Sequence, residues 1–531
     1  MTLTKPSRGL AHLDPNFVHE AQGDELCSYL IALEGWRRGL KLTWHAAGSE
    51  PFRSIKTWYD ERPGKLFSLS DGDNEHFYFR SRGDAVTDSA VETGMDKEKT
   101  KTVLQTAGVP VPKGIVLDLT KSQEELQKSV EALSFPLVIK PLDGSFGKDV
   151  FTRIESWDHF FRVIDQISET ANTYMCEEFV FGSEYRLYVV GNEVVSAIKR
   201  VPASVEGDGK LTVARLIEQK NTDRKQHPRL KNCLITIDDE IQEVLDKKGL
   251  SLKTVLPDGE ALSLRSKSNI SLGGEAVDCL DELSGEMKKT AVNAAHAVDG
   301  FAHGGVDMIT EDHQNGAEAV VIEMNPTAQI GSSVFPSYGR GRDVPAKIVD
   351  YYFPKTRKMK EQENYMYFIY KDGLIPLETG VARKAEAPDV PRGFKGVELK
   401  VKNLTNKMTN IYYFKQQMMK KGIVGYLRSA DGGKHGEMVV MSTPEKLSEW
   451  LDEIKETDYL FEIERVDVTH NTKHLYHTFD ISGYVTNWKG VLREQTAAAR
   501  KNKILNMMTS VYQLKSKIKI KRMFIKEETD A

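Results

Sequence analysis

FPLVIKPLDGSFGKDV, from Phe135 to Val150, is the stretch that decides how this chain is read. The apolar, β-branched run Leu137-Val138-Ile139 predicts a buried strand. That strand delivers Lys140 into a turn holding Gly144, Ser145 and Gly147 and closed by Lys148. Glycine lets a backbone approach a ligand closely and adopt positive φ, which other residues resist. The N–H groups of such a loop, with a lysine at each end, can wrap a nucleotide triphosphate. A plain glycine-rich hairpin would read the same way in isolation, so the assignment rests on what accompanies it.

The companions follow in order. Upstream, Met95-Asp96-Lys97-Glu98-Lys99-Thr100-Lys101 opens a helix that ends near Gly108, followed by Val109-Pro110-Val111-Pro112. Downstream, Met175-Cys176-Glu177-Glu178-Phe179-Val180 runs into Gly182-Ser183-Glu184-Tyr185-Arg186. Acidic residues where a strand passes into a loop suit an adenine amine and ribose hydroxyls. Then come Gly304-Gly305-Val306-Asp307 and Val320-Val321-Ile322-Glu323-Met324-Asn325-Pro326. Glu323 and Asn325 lie two apart on a strand and so share one face. With Asp307 they offer the hard oxygen ligands that Mg²⁺ takes beside phosphates. The order and spacing together read as an ATP site.

Three further blocks carry a resemblance: DKEKTKTVLQTAGVPVPKG (Asp96 to Gly114), KRVPASVEGDGKLTVARLIEQKN (Lys199 to Asn221) and LRSKSNISLGGEAVD (Leu264 to Asp278). On these, about Thr87 to Pro354 resembles the ATP-grasp superfamily of carboxylate–amine ligases. It is most similar to the ATP-grasp parts of cyanophycin synthetase and bifunctional glutathione synthetase. The resemblance implies ligation through an acyl phosphate, with positioning and charge neutralisation carrying the phosphoryl transfer. It assigns Lys97 and Lys140 to the phosphates, Glu178 and Val180 to the adenine, and Glu184 to the ribose. Asp307, Glu323 and Asn325 would hold two Mg²⁺ or Mn²⁺ ions. Arg265, and after it Arg186, would stabilise charge on the transferred group. Ser268, Asn269, Ser271, Gly273 and Gly274 would form a substrate-facing loop, in which Leu272 replaces the usual threonine. Arg340 and Arg342 could grip a substrate carboxylate. Relatives of this kind are usually dimers or tetramers, so a homo-oligomer is expected.

Two departures limit what transfers. No G-x-x-x-x-G-K-[ST] P-loop occurs in the chain. Only about ninety residues precede the matching region, too few for a cysteine-ligating half. The chemistry is therefore expected, acting on an amino acid or peptide, and the substrates are left open. A degenerate ATP-binding regulatory or accessory protein is the alternative, and a kinase that stops at a phosphorylated product is a third reading.

Composition agrees with a soluble globular protein: 531 residues, 40% apolar, net charge −4. No run approaches the ~18 apolar residues of a membrane span, and the amino terminus lacks the apolar core of a signal peptide. Cys27, Cys176, Cys233 and Cys279 form no C-x-x-C pair, which argues against zinc and disulfides. The cytoplasm, where ATP is available, fits.

The expected fold is α+β and α/β in several domains. A small α/β pre-ATP-grasp domain occupies 1–88, the ATP-grasp domain 89–355 and a linker 356–391. Strand and helix signals over 392–470 alternate in βαββαβ order, the ferredoxin-like pattern. There "GYLRSADGG" resembles acylphosphatases, although Ser429 stands where that family has asparagine and no phosphate-loop arginine is evident near Thr409 to Phe414. A non-catalytic accessory role is expected. Residues 471–531 form a basic extension, in which Lys515 to Arg522 reads as a lysine-guarded edge strand in preference to a nucleic-acid patch.

Overall fold

The computed structural model describes Arg8 to Ile481, except residues 19, 24, 51–54, 58–61, 143–149, 169–170, 317, 360–364, 391–392, 405–407, 430–433, 456–460 and 470–474. The chain forms two compact units, Met1–Val390 and Pro391–Ala531.

In the first unit the short helix Pro15–Val18 is followed by the helix Glu25–Arg37, buried at every position after Glu25. A helix apolar around its whole circumference belongs inside a core. It lies beside an antiparallel sheet whose order is Lys384–Glu386, Lys41–His45, Leu66–Ser70, Glu75–Phe79 and Arg82–Gly83. The outermost strand is a correction to the expected linker over 356–391. Helix Tyr370–Glu378 and strand Lys384–Glu386 return to the amino-terminal domain, with Thr43 opposite Glu386. Aromatic rings make the joint: Tyr29 and Trp44 meet Tyr370 at 5.3 and 5.5 Å between centroids. Tyr370 also donates through its hydroxyl to the Gly64 carbonyl at 2.8 Å. A run as polar as Arg383 to Pro388 carries little strand signal, because its partners lie more than three hundred residues away.

Two further antiparallel sheets hold the residues of interest. One has the order Gly114–Asp118, Thr173–Glu178, Leu137–Pro141, Phe151–Ile154. Helix Trp157–Ile167 covers it with Phe160, Val163, Ile164 and Ile167, the i, i+3, i+4, i+7 stripe of an amphipathic helix. The other runs Glu275–Asp278, Glu193–Val201, Ser183–Val190, His303–Thr310, Val320–Asn325. Its apolar face packs on helices Asp88–Met95, Lys97–Thr106 and Gly285–Ala297. Asp96 caps the second of these helices, accepting from the Lys99 N–H at 2.9 Å, so Lys97 sits in its first turn. Only four residues, 179–182, join Thr173–Glu178 to Ser183–Val190. That short join keeps the two sheets at either side of one cleft.

The second unit runs Lys395–Lys402, helix Met408–Lys420, Val424–Arg428, His435–Ser442, helix Pro444–Lys455, Glu462–Thr469. Its sheet places the fourth of these strands beside the first, then the third, then the second. Leu399, Met418, Leu427 and Met438 are fully buried between sheet and helices. Ser429 donates to the His435 carbonyl at 2.8 Å, closing the strand pair. Of the expected basic extension, Phe479–Asp480 joins this sheet beside Val424–Arg428; the turn at 430–433 and the run Lys515 to Arg522 lie outside the described residues.

Candidate active site

The cleft between the two sheets measures about 1170 Å³. Its walls hold Lys140, Glu178, Val180, Glu184, Arg186, Glu323 and Asn325, so residues spread over nearly two hundred positions line one cleft. Lys97 lines an adjoining recess with Lys140 and Glu323 and donates to the Leu142 carbonyl at 3.3 Å. The glycine-rich turn, with Gly144, Ser145, Gly147 and Lys148, lies outside the described residues.

Glu177 corrects an expectation. It was grouped with the nucleotide contacts, but its two oxygens are taken by lysines, Lys101 at 2.8 Å and Lys140 at 2.5 Å. All three side chains are at most 13% exposed. Burial pushes the Glu177 carboxyl up, and Lys140 and Lys101 more than reverse this, holding it below the ordinary range. Glu177 therefore positions Lys140. Lys101 was not assigned a role from the sequence, yet a signal was available: it lies four residues after Lys97 and so on the same helix face.

Glu178 accepts from the Ser134 N–H at 3.0 Å, while its own N–H bonds the Lys113 carbonyl. Phe179 N–H is bonded to the Pro136 carbonyl. These bonds fix the strand end that carries Val180. Glu184 is gripped by Arg200 and accepts from Ser268 at 2.6 Å. The loop Ser268 to Gly274 is thereby tied to the ribose position proposed from the resemblance. Gly273 sits at φ 97°, where a Cβ would lie 2.6 Å from Ile235, so glycine is required there.

Strand register builds the acidic centre. Asp307 stands opposite Arg186 on one side and Glu323 on the other. Arg186 donates to both Asp307 oxygens, at 2.6 and 2.5 Å. Arg200 adds a contact at 3.3 Å, and Asn325 one at 3.4 Å. Burial alone would raise the Asp307 carboxyl, and the two arginines hold it low instead. Glu323 behaves oppositely: burial first, and then the Asp307 charge, push it above the ordinary range. Among the described residues Glu323 makes no hydrogen bond or ion pair. A half-buried carboxylate without a partner, beside an amide oxygen and a second carboxylate, fits a hard divalent cation. Glu323 and Asn325 would be its first ligands, and Asp307 is shared with Arg186.

Arg265 lines the same cleft. Its guanidinium is bound by Asp238 and Glu240, each at 2.5 Å, and by the Thr236 carbonyl at 3.0 Å. Two carboxylates from the start of helix Asp239–Lys247 thus neutralise it, as Asp307 does Arg186 and Glu184 does Arg200, the arginines beside the acidic centre. Arg342, expected to meet a substrate, is likewise committed to Asp278 and Asp281 at 2.7 and 2.8 Å. Arg340 contributes its backbone N–H to Asp278. His303 is structural: it lies between the Tyr188 and Tyr352 hydroxyls, 3.1 Å from each. Burial lowers it to about 3, so it stays neutral.

Residues 94–222 match the model of the RimK-like ATP-grasp domain, so the chain contains a domain of this kind. Over 273 residues it is 37% identical to cyanophycin synthetase of Crocosphaera subtropica, covering 50% of this chain and 31% of that protein. Over 339 residues it is 32% identical to the bifunctional glutathione biosynthesis protein of Clostridium perfringens, covering 62% and 41%. A solved bifunctional glutathione synthetase from Pasteurella multocida aligns at a TM-score of 0.45 and 27% identity, over 55% of this chain and 41% of that one. The chain spans less than half the length of each of these relatives. No described helix is long and apolar enough to cross a membrane.

Proposed function

We propose that this chain is an ATP-dependent carboxylate–amine ligase. It activates a carboxylate as an acyl phosphate, joins it to an amine of an amino acid or peptide, and releases ADP and phosphate. One observation carries the reading: Glu323 and Asn325, cross-strand from Asp307, share a cleft with Lys140 and Lys97 in an ATP-grasp domain. Lys97 and Lys140 neutralise the phosphates, Lys140 held in place by Glu177. Glu178, Val180 and Glu184 receive the nucleoside. Bound Mg²⁺, or Mn²⁺ in its place, supplies Lewis-acid charge neutralisation, two ions being the number we infer. Arg186 and Arg200 stand where charge develops on the transferred group, and losing one such preorganised donor costs about 3–4 kcal/mol in the barrier.

The domain scheme belongs to the same reading: a pre-ATP-grasp domain closed by residues 366–390, the ATP-grasp domain, and a ferredoxin-like, acylphosphatase-like accessory unit after Pro391. We place the reaction in the cytoplasm and the enzyme as a homo-oligomer. The pairing of Arg265 with Asp238 and Glu240 favours a second reading, a nucleotide-binding accessory protein without turnover. The test is amine-dependent phosphate release from Mg-ATP over amino acids and short peptides, with product masses. A mass equal to two substrates minus water, with ADP, establishes the ligase. Tight Mg-ATP binding without turnover on any pair favours the accessory reading.

A further inference from the structure

Part of the cleft lining is used by none of the roles above. Three separate segments meet there: Arg80 after strand Glu75–Phe79, Arg229 after helix Val213–Gln226, and Gln329, four residues beyond Asn325. Each lines the same cleft as Glu323.

Arg80 adopts φ 58°, a left-handed conformation that costs a non-glycine residue about 1 kcal/mol or more. Its N–H is bonded to the Lys65 carbonyl at 2.8 Å, which fixes the residue in that conformation. Arg229 lies with its Cδ over Gly331, where a Cβ would come within 2.8 Å of it. Its guanidinium donates to Cys233 Sγ at 2.9 Å, a weak acceptor, and its Nε is buried without a partner. A guanidinium in such a setting lacks an anion. Both arginines line this cleft, and Arg229 packs on Gly331 next to the Ile330 N–H that bonds the fully buried Cys27 thiol at 3.4 Å. Burial raises that thiol, while the Ile330 N–H and then the two arginine charges pull the other way. Among the described residues Gln329 Oε1 is also buried and unpartnered, and it adds an acceptor to the same cleft.

We propose that Arg80 and Arg229 clamp a carboxylate of the substrate, with Gln329 Oε1 accepting from an N–H next to it. The ligand class is an amino acid or peptide that presents a free carboxylate and an amine together. This proposal rests on the ligase reading and extends it from the nucleotide to the acceptor or donor that the cleft selects.

The experiment uses the full chain saturated with Mg-ADP and calorimetry, so that no turnover is needed. The probes are the twenty L-amino acids and a set of dipeptides, each as free acid and as carboxamide. At least one free acid is expected to bind roughly tenfold or more tighter than its carboxamide. Arg229→Gln and Arg80→Gln each abolish that preference without changing Mg-ADP affinity, and Arg229→Lys retains part of it. The proposal is overturned if no acid is preferred in the unaltered protein, or if the preference survives both glutamine variants. If Mg-ADP itself does not bind, the nucleotide reading fails, and the clamp proposal falls with it.

Discussion

Glu177 and Glu323 are both acidic, both withdrawn from solvent and both in the cleft, yet they are predicted to respond to the same substitution in opposite directions. Glu177 neutralises two lysines, and removing one partner of a buried ion network leaves uncompensated charge. Glu177→Gln is therefore expected to cost about 3 kcal/mol in urea unfolding and to weaken Mg-ATP binding through a displaced Lys140. The pH profile supplies a signature. Because Lys140 and Lys101 hold Glu177 low in the folded state, its contribution is complete above the ordinary glutamate value of about 4.3. That contribution is lost as pH falls through the lower folded value. The acid limb of the stability curve should shrink in the glutamine variant. Glu323 has no hydrogen-bond or ion-pair partner among the described residues, and burial and Asp307 both disfavour its charge. Glu323→Gln should raise the melting temperature of the ligand-free protein by about 1–2 °C while abolishing Mg-dependent turnover. A melt and a turnover assay on the same sample separate the two effects.

At the scale of elements, the site depends on strands that approach closely enough to leave no room for a methyl group. Gly114 stands opposite Glu177 in register, and a Cβ there would lie 2.6 Å from Glu177 Cγ and 2.7 Å from Lys101 Nζ. Gly114→Ala is expected to cost about 1–3 kcal/mol and to lower Mg-ATP affinity, although residue 114 itself carries no charge. Equilibrium unfolding and nucleotide titration check both halves. Which elements form was largely legible in sequence, because alternation and helical spacing are local signals. Lys41–His45 and Leu137–Pro141 follow directly from them. The convergence of Lys97, Lys140, Asp307, Glu323 and Asn325 was legible through motif order. Partner choice was not: nothing near Arg265 announces Asp238 and Glu240 as its counter-ions, and nothing near Glu177 announces that it serves lysines. The strand Lys384–Glu386 was missed for the same reason, since its pairing with Thr43 is remote and its residues are mostly polar.

For the whole molecule, the division at Val390 and the return of residues 366–390 to the amino-terminal sheet make a joint prediction. A chain ended after Val390 should keep its Mg-ATP affinity within about twofold and show one thermal transition. A chain ended at Met359 lacks Phe368, Tyr370 and the strand beside Lys41–His45. It also loses the carbonyls that Tyr29 and Trp36 bond, those of Phe368 at 3.1 Å and Pro388 at 2.6 Å. It should be recovered as aggregate, and a comparison of soluble yield with nucleotide binding distinguishes the two chains.

That late-returning strand also bears on how the protein is made. The sheet begun at Lys41 cannot be completed until Glu386 has left the ribosome. At ordinary elongation rates this leaves about 15–60 s between emergence of the first strands and arrival of their partner. Throughout that interval Trp36, Trp44 and Tyr29 have no aromatic partners from the later segment to cover them. The nascent chain thus presents a helix buried at every position after Glu25 early and completes its cover last, which makes the first ninety residues the natural client of a chaperone at the tunnel exit.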